Sequence, residues 1–240
     1  MMASRGYDMT PTMYSPDGRI YQVEYAIETV KRGTIAVGIQ CKDGIILAVE
    51  EKTRDLQVGD VTQKIFQVDD HIGVAAAGYI PDARVQVDTA RFFAQSNKLT
   101  YDESVEVETV AKLLADQAHL YTQYSGVRPF GVALIVAGID KKGTRIFVTD
   151  PSGTYVSYSA VAIGGTSDDV TNFLEKNYRK DMSMDDAISL AISAINLKND
   201  KSSTEDIKMS KIMLSTQIIE KIPSDVLKKY VQGKNDPPAK

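Results

Sequence analysis

The sequence has few of the residues on which many catalytic and metal sites depend. Its single cysteine, Cys41, cannot form a disulfide within the chain, which fits a reducing compartment. Only two histidines are present, His71 and His119, so most catalytic triads and histidine-rich metal sites are excluded. A Cys41–His dyad stays formally open, although a lone cysteine in a strand usually packs. No C-x-x-C, H-E-x-x-H or EF-hand spacing occurs, so we expect no metal and no cofactor.

Long apolar runs and a strong net charge are absent as well. The longest apolar stretches, such as residues 132–138 and 44–49, are too short to cross a bilayer. The net charge of -4 gives no field that would attract nucleic acid or an anionic membrane. The first eight residues lack the apolar core of a secretory signal. We therefore expect a cytoplasmic protein that binds neither nucleic acid nor membranes.

The hydrophobic content of 43% is sufficient for one large core, and its pattern divides the chain. Residues 1–14 have no helical or strand periodicity and predict a flexible tail. A turn at residues 15–18 precedes an amphipathic helix over residues 19–32, which Gly33 ends. We expect one domain over residues 15–232, followed by a disordered tail at residues 233–240.

From Thr34 onward the pattern alternates between sets of strands and pairs of helices. Two hairpins precede a helix pair, a second strand set precedes another helix pair, and a last strand is expected at residues 211–218, before a short terminal helix. Hairpins make antiparallel sheets, and two sheets that share a core carry their helices on the outer faces. The prediction is an α+β fold, a four-layer αββα sandwich.

Two helix starts carry local signals. Ser183, with Asp186 three residues later, predicts a capping box. The segment Gly164–Gly165–Thr166–Ser167 has the glycines of a phosphate-binding loop, but no Walker lysine follows, and the carboxylates after it would repel phosphate. We interpret this segment as a tight turn with a hydroxyl N-cap, followed by acidic residues that complement the helix dipole.

Thr34 is the one position that suggests nucleophilic chemistry. An N-terminal threonine can attack when its own amine acts as base, and some precursors expose one by cutting a Gly–Thr bond. Glu50 and Lys64 follow at strand ends, where they could tune its ionisation. In this chain a segment precedes Thr34, so its amine is an amide and the chemistry requires cleavage after Gly33. A threonine protease matured at that bond is the alternative interpretation.

The preceding segment resembles a known family. Residues 14–26, YSPDGRIYQVEYA, are similar to the N-terminal signature of proteasome α subunits, most like the archaeal kind. Further similarities occur at residues 6–8, 63–65, 78, 81–84, 121–124, 127–131, 137–140, 150–153 and 162–164. The resemblance covers residues 5–220 and implies the Ntn-hydrolase-like sandwich of the proteasome subunit fold. It also implies a non-catalytic member of a threonine protease complex, with no enzyme activity of its own.

The resemblance implies a function and partners. Proteasome α subunits form heptameric outer rings, with neighbouring α subunits, that cap rings of β subunits. Their N-terminal tails gate the entry of unfolded protein substrates, and pockets between neighbours receive the C-terminal tails of an AAA+ ATPase activator. The residues here that match the gate and its bracing cluster are Tyr7, Asp8, Pro16, Tyr25 and Tyr124.

Three further residues fall at positions of the activator-docking pocket of the family. Lys64 is similar to the lysine that pairs with an incoming C-terminal carboxylate, and Gly78 to a pocket wall. Tyr79 stands where related chains often carry leucine, so this sequence departs from the family there.

Overall fold

The computed structural model describes residues 6–10, 12–52, 56–57, 63–198, 204 and 206–232. Pro11, the first five residues and the predicted tail at 233–240 lie outside the described residues. Within the described part, six α-helices and ten strands follow one another, with a short 3-10 turn at Asn196–Lys198. In chain order they are α1 Tyr21–Arg32, β1 Ala36–Cys41, β2 Gly44–Glu50, β3 Ile65–Asp69, β4 Ile72–Gly78, α2 Ile80–Tyr101, α3 Val107–Gln123, β5 Val132–Asp140, β6 Gly143–Thr149, β7 Tyr155–Ser157, β8 Ala160–Ile163, α4 Ser167–Asn177, α5 Met184–Ile195, β9 Ile207–Met213, β10 Ile219–Ile222 and α6 Ser224–Gln232.

The strands form two five-stranded sheets. The first has the order β10–β9–β2–β1–β8 and the second the order β3–β4–β5–β6–β7, and neighbouring strands are antiparallel throughout. Buried residues of α4 and α5 pack on the outer face of the first sheet, and those of α2 and α3 pack on the outer face of the second. A third cluster lies between the sheets. The predicted α+β, four-layer αββα sandwich is confirmed.

Strand periodicity explains how one strand serves two cores. On β2, Ile45 and Leu47 lie in the cluster between the sheets, whereas Ile46 and Ala48 lie in the cluster beneath α5. Side chains alternate between the faces of a strand, so a strand buried on both faces must be apolar at every position. That is the reason for the unbroken apolar run at residues 44–49. No helix in the described part is long and apolar enough to span a membrane.

Helix α1 lies across the ends of β4 and β5, where the chain enters the sandwich. Val30 reaches the cluster between the sheets. The helix ends at Gly33, whose backbone lies so close to that of Gly78 that a Cβ on Gly33 would fall 2.4 Å from the Gly78 nitrogen. Gly78 has a φ of +116°, and a Cβ there would fall 2.4 Å from the Gly131 oxygen. Both glycines are therefore required by close backbone contact.

Three local predictions differ from the structure. The first helix begins at Tyr21 because Ile20 is extended. The last strand, predicted at residues 211–218, lies instead at Ile207–Met213 as β9; a turn in which Gln217 has a φ of +54° follows it and leads to a further strand, β10. Thr166 is the N-cap of α4 by position, but its φ of +63° leaves its hydroxyl without a capping bond. The capping box of Ser183 and Asp186 is confirmed.

Candidate functional site

Thr34 and Lys64 meet at the point where α1 joins the sandwich. The Lys64 Nζ lies 2.6 Å from the Thr34 Oγ1 and also donates to the backbone oxygens of Thr34 at 2.9 Å, Glu50 at 3.1 Å and Ile35 at 3.3 Å. The Thr34 hydroxyl in turn donates to the Glu50 oxygen at 2.7 Å. The structure therefore unites the three residues that the sequence singled out, through the hydroxyl of Thr34 and the backbone of Glu50.

Lys64 is a buried cation whose loss of hydration is offset in part by the nearby carboxylates of Glu51 and Glu50. Its side chain is among the buried polar groups, with 6% exposure. Burial lowers the pKa of Lys64 to about 8, because the ammonium loses hydration, while the charges of Glu51 and Glu50 act in the opposite direction. The Glu51 carboxylate is itself bonded to the backbone N–H of Gln63 at 3.0 Å. Lys64 is thus charged at neutral pH but close to its titration range.

The backbone around Thr34 shows what this arrangement can do chemically. The nitrogen of Thr34 is an amide within a continuous chain, and the Gly33 oxygen before it accepts from the Gly165 N–H at 2.7 Å. Thr34 also directs its hydroxyl proton to a carbonyl and not to a base. The group that would act as base in an N-terminal threonine site is therefore blocked in the uncleaved chain.

Gly78 and Tyr79 lie at the same end of the second sheet as Lys64. The backbone of Lys64 accepts from Ala76 at 2.9 Å, which places it two residues from Gly78 along β4. Tyr79 begins the approach to α2, donates its N–H to the Gly131 oxygen at 2.8 Å, and is 50% exposed. The fold thus gathers the three predicted docking residues in one region.

Of the five predicted gate residues, the structure brings Asp8 and Tyr25 into contact. Asp8 is held by α1: its backbone oxygen accepts from the side-chain amide of Gln22, and its carboxylate accepts from the Tyr25 hydroxyl at 3.3 Å. Tyr7 beside it is half-buried. Pro16 lies in an exposed turn that the Gly18 N–H closes on the Ser15 oxygen at 2.9 Å.

Tyr124 stands apart from these residues. It follows the end of α3 and is 62% exposed. Among the described residues, the ring that lies close to Tyr25 is that of Tyr21, at a centroid distance of 6.3 Å. Sequence reasoning also missed Gln22, although it lies within the signature segment and its amide is the kind of group that can hold a backbone carbonyl.

An ion pair between a buried carboxylate and an exposed guanidinium shapes the surface beside Tyr79. Asp82, 8% exposed, accepts from Arg128 at 2.6 and 2.8 Å and from the Gly131 N–H at 2.9 Å. The guanidinium of Arg128 also lies 5.5 Å from the centre of the Tyr79 ring. This bidentate pair fixes the segment that carries Gly131 against the start of α2.

An open cavity of about 340 Å³ lies between α1 and this segment. Its lining residues come from α1, from the start of α2 and from the approach to β5; they are Gln22, Tyr25, Ala26, Thr29, Tyr79, Arg128, Pro129 and Gly131. Lys64 is not among them. The cavity therefore adjoins the residues that hold Asp8 on one side and Tyr79 on the other.

The Cys41–His dyad considered from the sequence does not form. Cys41 is buried in the cluster beneath α5, and burial raises the pKa of its thiol, which keeps it protonated and inert. His71 bonds to the Val105 oxygen at 2.8 Å on the other sheet, and His119 lies near Gln123 and Ser152. Neither imidazole is bonded to the thiol.

Comparison with known proteins agrees with this architecture. A family model described as "Proteasome subunit" matches residues 30–212, so the chain belongs to the proteasome subunit family. Within that family it is of the α type: a second model, for the N-terminal signature of the A-type proteasome proteins, matches residues 7–28, the segment that contains Asp8 and Tyr25.

Its curated relatives are similar over nearly their whole length. The chain is 45% identical over 233 residues to the proteasome alpha subunit of Methanocaldococcus jannaschii, covering 97% of this chain and 89% of the relative. It is 44% identical over 233 residues to the protein of the same name from Archaeoglobus fulgidus, covering 96% and 94%. The resemblance inferred from the signature is thereby confirmed, and membership of this family implies assembly with other proteasome subunits.

Proposed function

We propose that this chain is a non-catalytic α subunit that forms the outer heptameric ring of a cytoplasmic proteasome core and caps rings of β subunits. Its N-terminal tail controls the entry of unfolded protein substrates, and pockets between neighbouring α subunits dock the C-terminal tails of an AAA+ ATPase. The family assignment and the relatives named as α subunits support this proposal.

One observation carries the non-catalytic part of the proposal. The threonine that could act as nucleophile follows directly on α1, and α1 is anchored to the sandwich by Val30 and by the Gly33–Gly78 contact. A segment that is to be discarded has no need of such packing. The alternative, a protease matured at Gly33–Thr34, is favoured only by the 2.6 Å approach of Lys64 to the Thr34 hydroxyl.

The docking role rests on the charge and location of Lys64. A C-terminal carboxylate is the natural partner of a desolvated ammonium, because a charge-assisted bond is strong where water is excluded. The four oxygens now around the Nζ exceed its three donors, so a carboxylate would replace one of the weaker bonds, such as that to Ile35 at 3.3 Å.

The gating role rests on the way in which the tail is held. Asp8 contacts α1 through two side chains, and Tyr25 is itself 42% exposed, so the attachment is weak enough to be reversible. The test is to reconstitute particles with β subunits, with and without residues 2–11, and to measure hydrolysis of a short peptide and an unfolded protein. We expect faster hydrolysis by the truncated particle; equal rates would remove the tail from the entry mechanism.

A further inference from the structure

Thr34 and Lys64 form a pair of a hydroxyl and an amine in which only the hydroxyl belongs to an exposed residue. Thr34 lies at the surface, whereas Lys64 is 6% exposed, and the Lys64 Nζ lies 2.6 Å from the Thr34 Oγ1. A reagent that arrives from solvent therefore meets the hydroxyl first and has the amine behind it. Neither the docking role nor the gating role proposed above uses this hydroxyl.

The charge of Lys64 decides what the pair can do. Burial lowers the pKa of Lys64 to about 8, so about a tenth of the chains carry the neutral amine at pH 7. The hydrogens of a neutral amine can go to the backbone oxygens of Thr34 at 2.9 Å and Glu50 at 3.1 Å, which leaves its lone pair for the Thr34 hydroxyl. In that state the hydroxyl proton has a base within hydrogen-bonding distance, and the Oγ1 becomes a nucleophile.

The backbone beside this pair limits the carbonyl compounds that it can attack. The oxyanion that forms during attack on an amide requires well-placed N–H donors. The Gly165 N–H at this junction is already bonded to the Gly33 oxygen, at 2.7 Å. We therefore expect amides to be stable here, and acyl donors that carry a good leaving group to react.

We propose that Thr34 is a site of covalent acylation by an activated acyl donor of the acyl phosphate class, and that Lys64 acts as the base. The Thr34 Oγ1 attacks the acyl carbon and forms an ester bond, and the hydroxyl proton passes to the Lys64 Nζ. The bond from the acyl carbon to the phosphate oxygen breaks, and phosphate leaves with the electron pair. The attached acyl group then stands between solvent and the buried amine, so the ester persists and no turnover follows.

The modification is tested on the full chain, in the particle that it forms, with acetyl phosphate as the probe. Peptide mass spectrometry before and after hydroxylamine, which removes esters and leaves amides, should locate an acetyl ester at Thr34 of the uncleaved chain. Thr100 is the internal control, because it is also exposed but its hydroxyl donates only to the Ser96 oxygen, at 2.8 Å. Equal esterification of both threonines, or a hydroxylamine-resistant acetyl group on Lys64 in place of the ester, would overturn the proposal.

The pH dependence distinguishes assistance by Lys64 from the ordinary reactivity of a surface hydroxyl. With a base whose pKa is about 8, the rate at Thr34 should rise about tenfold between pH 7 and pH 9 and then level off. A hydroxyl without a base reacts in proportion to hydroxide, which is about a hundredfold over the same interval. A rate at Thr34 that rises in proportion to hydroxide would refute the role of Lys64.

Variants complete the test. Thr34→Val should abolish the ester and Thr34→Ser should retain it. Lys64→Met, which exchanges the buried amine for an apolar chain of similar size, should slow esterification about a hundredfold, the usual contribution of a general base. Lys64→Arg keeps the positive charge but does not deprotonate in this range, so it should be equally slow. An undiminished rate in either Lys64 variant contradicts the proposal, whereas failure of docking or gating does not affect it.

Discussion

Lys64 donates to both the hydroxyl and the carbonyl oxygen of Thr34, at 2.6 and 2.9 Å. This double contact binds the start of β3 to the junction between α1 and β1. Thr34, the possible nucleophile, and Lys64, the residue to which the family resemblance gives a docking role, are thus direct neighbours within one chain. A change at either residue therefore acts on the other.

Removal of the Lys64 ammonium should abolish docking of an ATPase whose tails end in a free carboxylate. The expected loss for Lys64→Ala is about 1.5–3 kcal/mol per tail, multiplied across the tails of a multivalent complex. Co-sedimentation measures it. Lys52→Ala serves as control, because the Lys52 side chain is 71% exposed and lies 4.0 Å from the Glu50 carboxylate. Undiminished docking by the Lys64 variant would place the pocket elsewhere.

Docking should weaken as pH rises through 8. The pKa of Lys64 is lowered to about 8, so the charged form that pairs with a carboxylate predominates below that pH and is lost above it. Between pH 7 and pH 9 we expect the affinity for a synthetic activator-tail peptide to fall about tenfold. Fluorescence anisotropy with a labelled peptide gives the affinity, and an amidated peptide should be weak and insensitive to pH. A flat profile for the free-acid peptide contradicts the role of Lys64.

The mature chain should retain everything before Thr34. The Thr34 nitrogen is an amide and cannot act as a base, and the Thr34 hydroxyl proton is directed to the Glu50 oxygen. Intact-mass spectrometry after assembly with β subunits tests this expectation. A species that begins at Thr34 would establish the alternative, a matured threonine protease, and would be expected to hydrolyse peptides without active β sites.

Substitution of Gly78 should be far more costly than the same change at another glycine with a positive φ. Gly78→Ala combines backbone strain with overlap against the Gly131 oxygen and should reduce the free energy of unfolding by about 2–5 kcal/mol. Gly143→Ala is the control: its φ is +97°, but nothing lies within 4 Å of its added Cβ, so about 1–2 kcal/mol is expected. Urea unfolding compares the two, and equal losses would show that the close contact carries no energy.

The fold could be predicted where the pattern is regular and could not where one residue breaks it. The apolar run of β2 and the capping box at Ser183 determine their elements locally. The start of β9 was missed because Lys208, Ser210 and Lys211 make this strand polar. The turn before β10 was missed because Gln217 takes a positive φ, a conformation that is usually left to glycine. Pairing with β2, and not composition, specifies β9.

The site was predictable as a set of residues but not as a set of contacts. The signature segment pointed to Asp8 and Tyr25, and the structure joins them. The signature segment alone could not show that the Gln22 side chain holds the backbone oxygen of Asp8, since that hydrogen bond depends on the path of the tail over α1. Nor could it show that the ring close to Tyr25 is that of Tyr21, because the position of Tyr124 depends on where the chain goes after the end of α3.

The pairing of β2 with β9 has a consequence for synthesis of the protein on the ribosome. The last residue of β2 is Glu50, and its partner in the ladder is Ile207, which is translated 157 residues later (207 minus 50). Until then one edge of this apolar strand has no hydrogen-bonding partner, and such edges promote association between chains. The nascent polypeptide cannot complete its first sheet before nearly all of it has emerged, so binding of a chaperone to residues 44–49 would protect the strand during that interval.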